Sequence, residues 1–447
     1  MSNIDAAVDR LWDVVEEHLD EAEFGIGEAE LMLESPVQTL AELPAWGEWR
    51  YVAHVDGLVI AGAPALERVV LPALEAADSP QRVTAAALAL LEMAPVEQLL
   101  PALGHDDVQV RRAVARACTL GTRGELLLRF ASERLRTAAS ATERAGLLEV
   151  MAEMGVWSAS AGLLLDSDEP AVVAASVRAA RFSQDPQLLA ALERRFSDAD
   201  PDVVEAALVA AATLGSRNAL EALEAHALGA QPARPGALAL LASLGGPRQH
   251  ERIAAQVSSK GREGATLFAL GFGGNLEHVS LLLAQLDSKD PALVKLAAQS
   301  LSLILGIDLN DEALHLPPAA LVDDTEPPAA EDELPAVEEE LEALAPPWPE
   351  EALPDLDLPA LRTAVAAALA GLDPQRQHLM GRPYSPSSVA AILRDAPLRR
   401  RHTFAQLAFI DSGGQSFVNT RASAAIQARQ LAAAPEPPRR ARRFPIW

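Results

Sequence analysis

One short pattern recurs along this chain and limits what it can become. The stretch DADPDVVEAALVAAATLG, residues 198–215, sets acids and a proline ahead of a run of Ala, Val and Leu and ends on Leu-Gly. Related stretches read GHDDVQVRRAVARACTLG, DSDEPAVVAASVRAARF and LDSKDPALVKLAAQSLSLILG. The acids at Asp107, Asp168, Asp200 and Asp290 are 61, 32 and 90 residues apart, near two, one and three units of about 30–31 residues. Closing marks at Gly121, Gly155, Gly215, Gly245, Gly274 and Gly306 keep a similar step, with Phe182 where another glycine would fall. Two landmarks that share a period define a repeat.

Each part of the unit has a mechanical role. Asp200 suits the N-cap, where a carboxylate accepts from orphan backbone N–H groups. Pro201 suits the first helical position, and Asp202 the first turn, where negative charge complements the helix dipole. Val203, Val204, Ala207, Leu208, Ala211 and Leu214 form one apolar stripe. Gly215 supplies a left-handed residue to end the helix. A second helix follows in SRNALEALEAHALG, with Leu220, Leu223 and Ala227 facing its partner. The recurring acids therefore read as caps, not as catalytic groups or metal ligands.

This two-helix unit resembles HEAT repeats, in the short bacterial type also seen in phycobilin lyase-like proteins. The resemblance covers about residues 66–307, seven or eight units, the units near 122–160 and 228–262 being less regular. It implies an α-solenoid, a fold used mostly as a binding surface. Composition agrees: 49% of residues are apolar but only 4% aromatic, so the core must be aliphatic and Ala-rich, which favours close-packed helices. The expected fold class is all-α, a solenoid of HEAT-like helix pairs with an N-terminal helical head and a small C-terminal helical segment.

Cys118 is the only cysteine, which excludes an internal disulfide and a Cys-based zinc site. The N-terminus MSNIDAAVDRLW lacks the apolar core of a signal peptide, and runs such as TAAALALLEMA fall short of the roughly 20 residues a spanning helix needs. A cytoplasmic protein with no membrane contact is expected. The net charge of −26 is uneven: −14 over residues 1–79, −4 over 80–307, −17 over 308–357, +1 over 358–380 and +8 over 381–447. Nucleic acid is a poor partner for such a chain, because DNA-binding surfaces must neutralise phosphates with Lys and Arg. Residues 80–307 carry 21 basic against 25 acidic residues; only segregation of Arg111, Arg112, Arg116, Arg178 and Arg181 to one face would change that reading.

The flanks divide the rest of the chain. Residues 1–65 form an acidic head: a long helix or bent pair, with Ile4, Val8, Leu11, Val15, Leu19 and Ala22 on one stripe, then a loop around Pro36 and Pro44, then WRYVAHVDGLVIAGAPALERVV. Residues 308–357 hold seventeen acids, nine prolines and no Lys or Arg, a composition expected to form a mobile, self-repelling spacer. Its APPWP motif, with Trp348, offers a docking alternative. Residues 358–434 form a C-terminal helical segment, with helices expected to be capped near Ser387 and Thr403 and closed by Gly413 and Gly414. Residues 435–447 form a basic tail; a third hypothesis, beside the two functions given below, has it fold back on the acidic head or spacer and block the binding surface.

His18, Glu21, Ala22 and Phe24 in the head, with Ala53, His54, Asp56, Gly57 and Leu58, are similar to two motifs of a narrower, functionally uncharacterised proteobacterial family that joins an acidic helical head to a HEAT-like middle. Arg421, Ala422 and Gln430 match its C-terminal block. Members of that family are often encoded near type VI secretion components, so the resemblance implies an accessory of that apparatus.

Chemistry is sparse. His18, Glu21, His54 and Asp56 have the residue types of a zinc or iron site, but no Glu-x-x-His or His-Glu-x-x-His spacing occurs, and hydrogen bonds between helices are the competing reading. The glycines of LGFGGN, residues 270–275, lack the strand and the Lys-Ser/Thr of a phosphate loop and fall where a helix should end. Ser412 in DSGGQS sits in a helix-ending turn. Trp12, Trp46 and Trp49 are expected to anchor the head on the first repeat, with a contact surface as the alternative. No cofactor, metal or catalytic residue is assigned. Candidate interaction or structural residues are His18, Glu21, Phe24, Trp46, Trp49, His54, Asp56, Arg399, Arg400, Arg401 and Arg421. The expected function is a non-catalytic scaffold or adaptor that binds another protein; the alternative is a solenoid-based small-molecule lyase or metal-dependent enzyme.

Overall fold

The structure, a computed structural model, describes residues 3–230, 232–316 and 349–434. The fold is all-α, and the one sheet among the described residues is a two-residue pair, His378–Leu379 against Arg382–Pro383. The head opens with one unbroken helix, α1 (Asn3–Leu33), and folds back through α2 (Trp49–Ala61). The longer helix of each repeat follows in order: α3 (Pro80–Met93), α4 (Val108–Leu120), α5 (Ala141–Glu153), α6 (Pro170–Ala180), α7 (Pro201–Thr213), α8 (Pro235–Leu244), α9 (Glu263–Gly273) and α10 (Pro291–Leu305). The C-terminal segment adds α11 (Leu358–Leu369), α12 (Pro386–Asp395), α13 (Leu398–Asp411) and α14 (Ala424–Ala433).

The repeat landmarks act mostly as their chemistry requires. The carboxylates of Asp107, Asp200 and Asp290 accept from the backbone N–H two residues on, at 2.8, 2.9 and 2.9 Å. Asp168 is the exception: Glu169 precedes α6, no side chain caps it, and Asp168 points into solvent. Gly155, Gly215, Gly274 and Gly306 end their units at positive φ, whereas Gly121 and Gly245 do not. LGFGGN is a helix end, with Gly274 in the left-handed conformation.

Helices α3 to α7 pack each on the next, as do α8 to α10. Between α7 and α8 the connection runs instead through Ala219–Gly229 and through α13, which lies against both. Among the described residues the apolar interior forms three clusters: one from Leu19 to Ala175, one from Leu165 to Val418, and a small one of Met32, Leu33, Leu43, Leu398 and Ala424. The second takes in Phe404, Leu407 and Ile410 of α13, all 1% exposed or less. A segment that the charge map sets apart is therefore part of the core.

Several connections fasten it there. The N–H of His378 donates to the Gly274 carbonyl at 2.8 Å, and that of Met380 to the Leu303 carbonyl. A side chain on Gly306 would begin 2.6 Å from Met380, so the repeat's closing glycine also makes room for the chain that returns. The acidic spacer is shorter than its composition implies. Residues 308–316 and 349–357 pack inward through Leu309, Leu314, Leu353 and Leu356, and His315 pairs with Leu356. Residues 317–348, Trp348 included, and the tail 435–447 lie outside the described residues. The caps of the C-terminal helices also differ from expectation: Ser385, not Ser387, caps α12, and Thr403 lies inside α13, which starts after Pro397.

Asp200→Ala should cost about 1 kcal/mol in denaturant unfolding, the usual price of an N-cap, while Asp168→Ala should change little.

Candidate functional site

The head motifs meet where α1 crosses α2. His18 Nδ1 lies 3.0 Å from His54 Nδ1, so one ring donates and the other accepts. Gly57 is where it is because of His18: a Cβ there would stand 2.6 Å from the ring. Glu21 is held by Arg50, whose Nε donates at 2.9 Å, and lies 4.0 Å from His54 Nε2. Burial, helped by the neighbouring His18, pushes the His54 pKa down. Asp56 is exposed and does not join them, and among the described residues no three His, Cys, Asp or Glu side chains converge on a point that suits a metal. The motif residues form a polar helix crossing.

The aromatic residues divide. Trp12 packs on the core with the Arg68 guanidinium 4.0 Å over its ring, as an anchor should. Trp46 and Trp49 do not anchor: they are 72% and 60% exposed. Both stand on the outward face of α2 and the turn before it, where Val52 and Ile60 continue the stripe. On α1, Phe24 and Leu31 are also exposed, and Arg50 lies 4.5 Å over the Phe24 ring. The head's other side is fastened by its acids: Arg82 of α3 donates to Asp20 at 2.6 Å and to Glu23 at 2.9 Å. With the buried side of α2 against α1 and α3, the Trp-bearing face is left to solvent.

The arginines of the C-terminal segment point inward. Arg400 is 3% exposed and donates to the Gln299 carbonyl at 2.7 Å; Arg401 is fully buried and donates from Nε to the Leu393 carbonyl. Burial pulls both pKa values down to about 10. Arg399 pairs with Glu350 and lies 4.6 Å over the Phe268 ring. Arg421 remains half-exposed and pairs with Glu34 of the head at 2.9 Å. Backbone bonds complete the clasp. Leu398 N–H donates to the Gln38 carbonyl, Ser423 N–H to that of Thr119, and Ala424 N–H to the Glu48 carboxylate. These arginines are structural, and none of Arg399, Arg400 and Arg401 is offered to a partner.

Between this clasp and α5–α9 lies a cavity of about 440 Å³. Its walls include Phe182, Phe268, Phe409 and Phe417, three guanidinium groups (Arg181, Arg399 and Arg421), the Glu34 and Glu153 carboxylates, His402 and Asn419. No sequence motif announces it, because its walls come from positions separated by up to 387 residues. The arginine cluster that would have signalled nucleic acid is largely absorbed inside: Arg178 donates to Glu149 at 2.9 Å and Arg111 to the Asp106 carbonyl at 2.8 Å. Arg112 and Arg116 lie 3.9 Å from Glu149 and Glu153.

No family model matches the chain, and no curated protein does. A solved crystal structure of an engineered protein aligns over 90% of this chain and all of its own, at 15% identity and a TM-score of 0.30, a likeness too low to bear on fold or function. Among the described residues no single helix is long and apolar enough to cross a membrane.

His402 joins the clasp to the head. Its Nε2 donates to the Leu33 carbonyl at 3.1 Å and its Nδ1 meets the Thr420 hydroxyl at 2.7 Å, an arrangement that a neutral ring satisfies by accepting at Nδ1. Burial first, then Arg421, pushes its pKa down to about 4. The unfolded chain takes up this proton near pH 6.5, so stability is full above that pH and is lost as pH falls toward about 4. The thermal midpoint should therefore drop between pH 7 and pH 5, with a shallower drop in His402→Gln; equal slopes would contradict a buried neutral ring.

Proposed function

We propose that this protein is a non-catalytic, protein-binding adaptor: an α-solenoid of HEAT-like helix pairs over residues 66–307 whose partner docks on the head. The observation that carries the reading is the row of Trp46, Trp49, Val52 and Ile60 standing in solvent beside Phe24 and Arg50. Trp and Arg are the residues that most often dominate binding energy at protein interfaces, and exposed aromatic rings on a well-fastened helix bind without much loss of freedom. In an ordinary solenoid the partner lies along the concave face; here α13 lies against α7 and α8 and residues 419–423 reach α4 and α5, which favours the head as the docking surface. The acidic surroundings of the row favour a partner with an apolar pocket rimmed by Lys or Arg. The family resemblance of the head motifs points to a bacterial secretion apparatus, type VI in particular, as the place to seek that partner, and to the cytoplasm as its compartment.

Affinity capture from the native host tests this, with wild type compared against Trp46→Asp/Trp49→Asp. Both tryptophans are exposed, so the double variant should keep its thermal midpoint within a few degrees. The expected result is a defined protein enriched by wild type, lost with the variant, and bound directly by purified wild type. Identical captured sets would overturn the head as the docking surface.

A further inference from the structure

The central cavity has features that a docking adaptor does not need. Its volume of about 440 Å³ lies within the range of small-molecule pockets. One side is an aromatic wall: the Phe182 ring meets Phe417 edge-on at 4.8 Å and Phe409 at 5.4 Å. Gly155 permits this wall, since a Cβ there would stand 2.4 Å from the Phe417 ring.

The charges facing the cavity do not cancel. Three guanidinium groups and two carboxylates line it, and His402, with its pKa pushed down, is neutral at pH 7. The excess is one positive charge, inside a chain whose net charge is −26. The excess can be assigned to one residue. Arg421 pairs with Glu34, Arg399 with Glu350 outside the lining, and Glu153, which also accepts from Thr119 and Asn419 at 3.0 Å, with Arg116 outside it, 3.9 Å away. Arg181 has no carboxylate partner: its Nη2 reaches only the Ala152 carbonyl, at 3.5 Å, and its buried Nε donates to nothing. Glu153, Arg178 and Glu149 face it from the neighbouring helices without satisfying those donors. The guanidinium is half-buried and stacked 4.6 Å over the Phe182 ring, and its enclosed Nε–H gains from any acceptor that reaches it.

We propose that the cavity binds a small organic carboxylate with a flat apolar body, the carboxylate accepting from Arg181 and the body lying against Phe182, Phe409 and Phe417. Guanidinium and carboxylate match in shape and form paired, charge-assisted hydrogen bonds, and the face of an aromatic ring suits an aryl or alicyclic body. The walls of this site belong both to the repeat helices and to the clasp, so an occupant bridges them and adds to their stability by its own binding.

Isothermal titration of the full chain with benzoate, phenylacetate and cyclohexanecarboxylate tests the proposal, with benzamide as the uncharged counterpart and inorganic phosphate as the anion without a body. At least one carboxylate should bind saturably and raise the thermal midpoint, with benzamide and phosphate at least tenfold weaker. Arg181→Met should weaken that carboxylate tenfold or more. Gln406→Glu, an exposed change that adds a negative charge at the cavity's lining, should weaken it without disturbing the fold, and so decides the matter if Arg181→Met does not fold. The proposal is overturned if no carboxylate binds saturably, if phosphate or benzamide binds as well, or if Gln406→Glu binds as wild type does.

Discussion

The architecture depends on the docking of α13 into the face of the repeat helices. Along that face α7 and α8 are joined through a short intervening helix and through α13, whose Phe404, Leu407 and Ile410 complete the second apolar cluster. The polar part of the same contact is unforgiving. Arg400 donates to the Gln299 carbonyl of α10, while Arg401 donates from Nε to the Leu393 carbonyl of α12 and keeps its buried Nη groups without an acceptor; a guanidinium deprived of its acceptors in the interior loses several kcal/mol of solvation without return. Such a contact is made in one register or not at all. It fixes where the chain re-enters after the acidic stretch and where residues 412–424 cross back to α4, α5 and the head.

This contact explains the uneven legibility of the sequence. The repeat helices were readable because each carries its own start and stop: Asp107, Asp200 and Asp290 cap as their position requires, and Gly215, Gly274 and Gly306 adopt the left-handed turn. Asp168 looks the same in sequence and does not cap, because α6 starts one residue later, at Pro170, with Glu169 before it. Local signals of this kind say nothing about partners hundreds of residues away. Arg399–Arg401 read only as candidate interaction or structural residues, and their pairing or burial is a result that only the carbonyls of Gln299 and Leu393 and the carboxylate of Glu350 could dictate. Trp46 and Trp49 misled in the opposite direction. Aromatic residues in a chain with few of them suggest an anchor, but the buried side of α2 is formed by Tyr51, Val55 and Leu58.

The charge pattern takes on a single sense in three dimensions. The head's acids on one flank bind Arg82 and so hold α1 to the first repeat; Glu34 and Glu48 on another receive Arg421 and the start of α14. The basic C-terminal segment is thus drawn to the acidic head by contacts of its described residues, without recourse to the tail beyond residue 434. These pairs are partly exposed and individually weak, so they select the register of the clasp more than they stabilise it. Burial of Phe404 and its neighbours supplies the larger part, at about 25 cal/mol per Å² of apolar surface removed from water. The aromatic face of α2 remains outside this scheme, and it is the surface proposed above for a partner.

Native-state amide hydrogen exchange, read by mass spectrometry on the full chain, tests the central contact most directly. If α13 is part of the core, peptides covering residues 398–411 will exchange only with the opening that also exposes residues 235–244, and with the same denaturant dependence. Rapid exchange across 398–411 while 235–244 stays protected would show a detachable segment lying on a core complete without it, and would contradict this account.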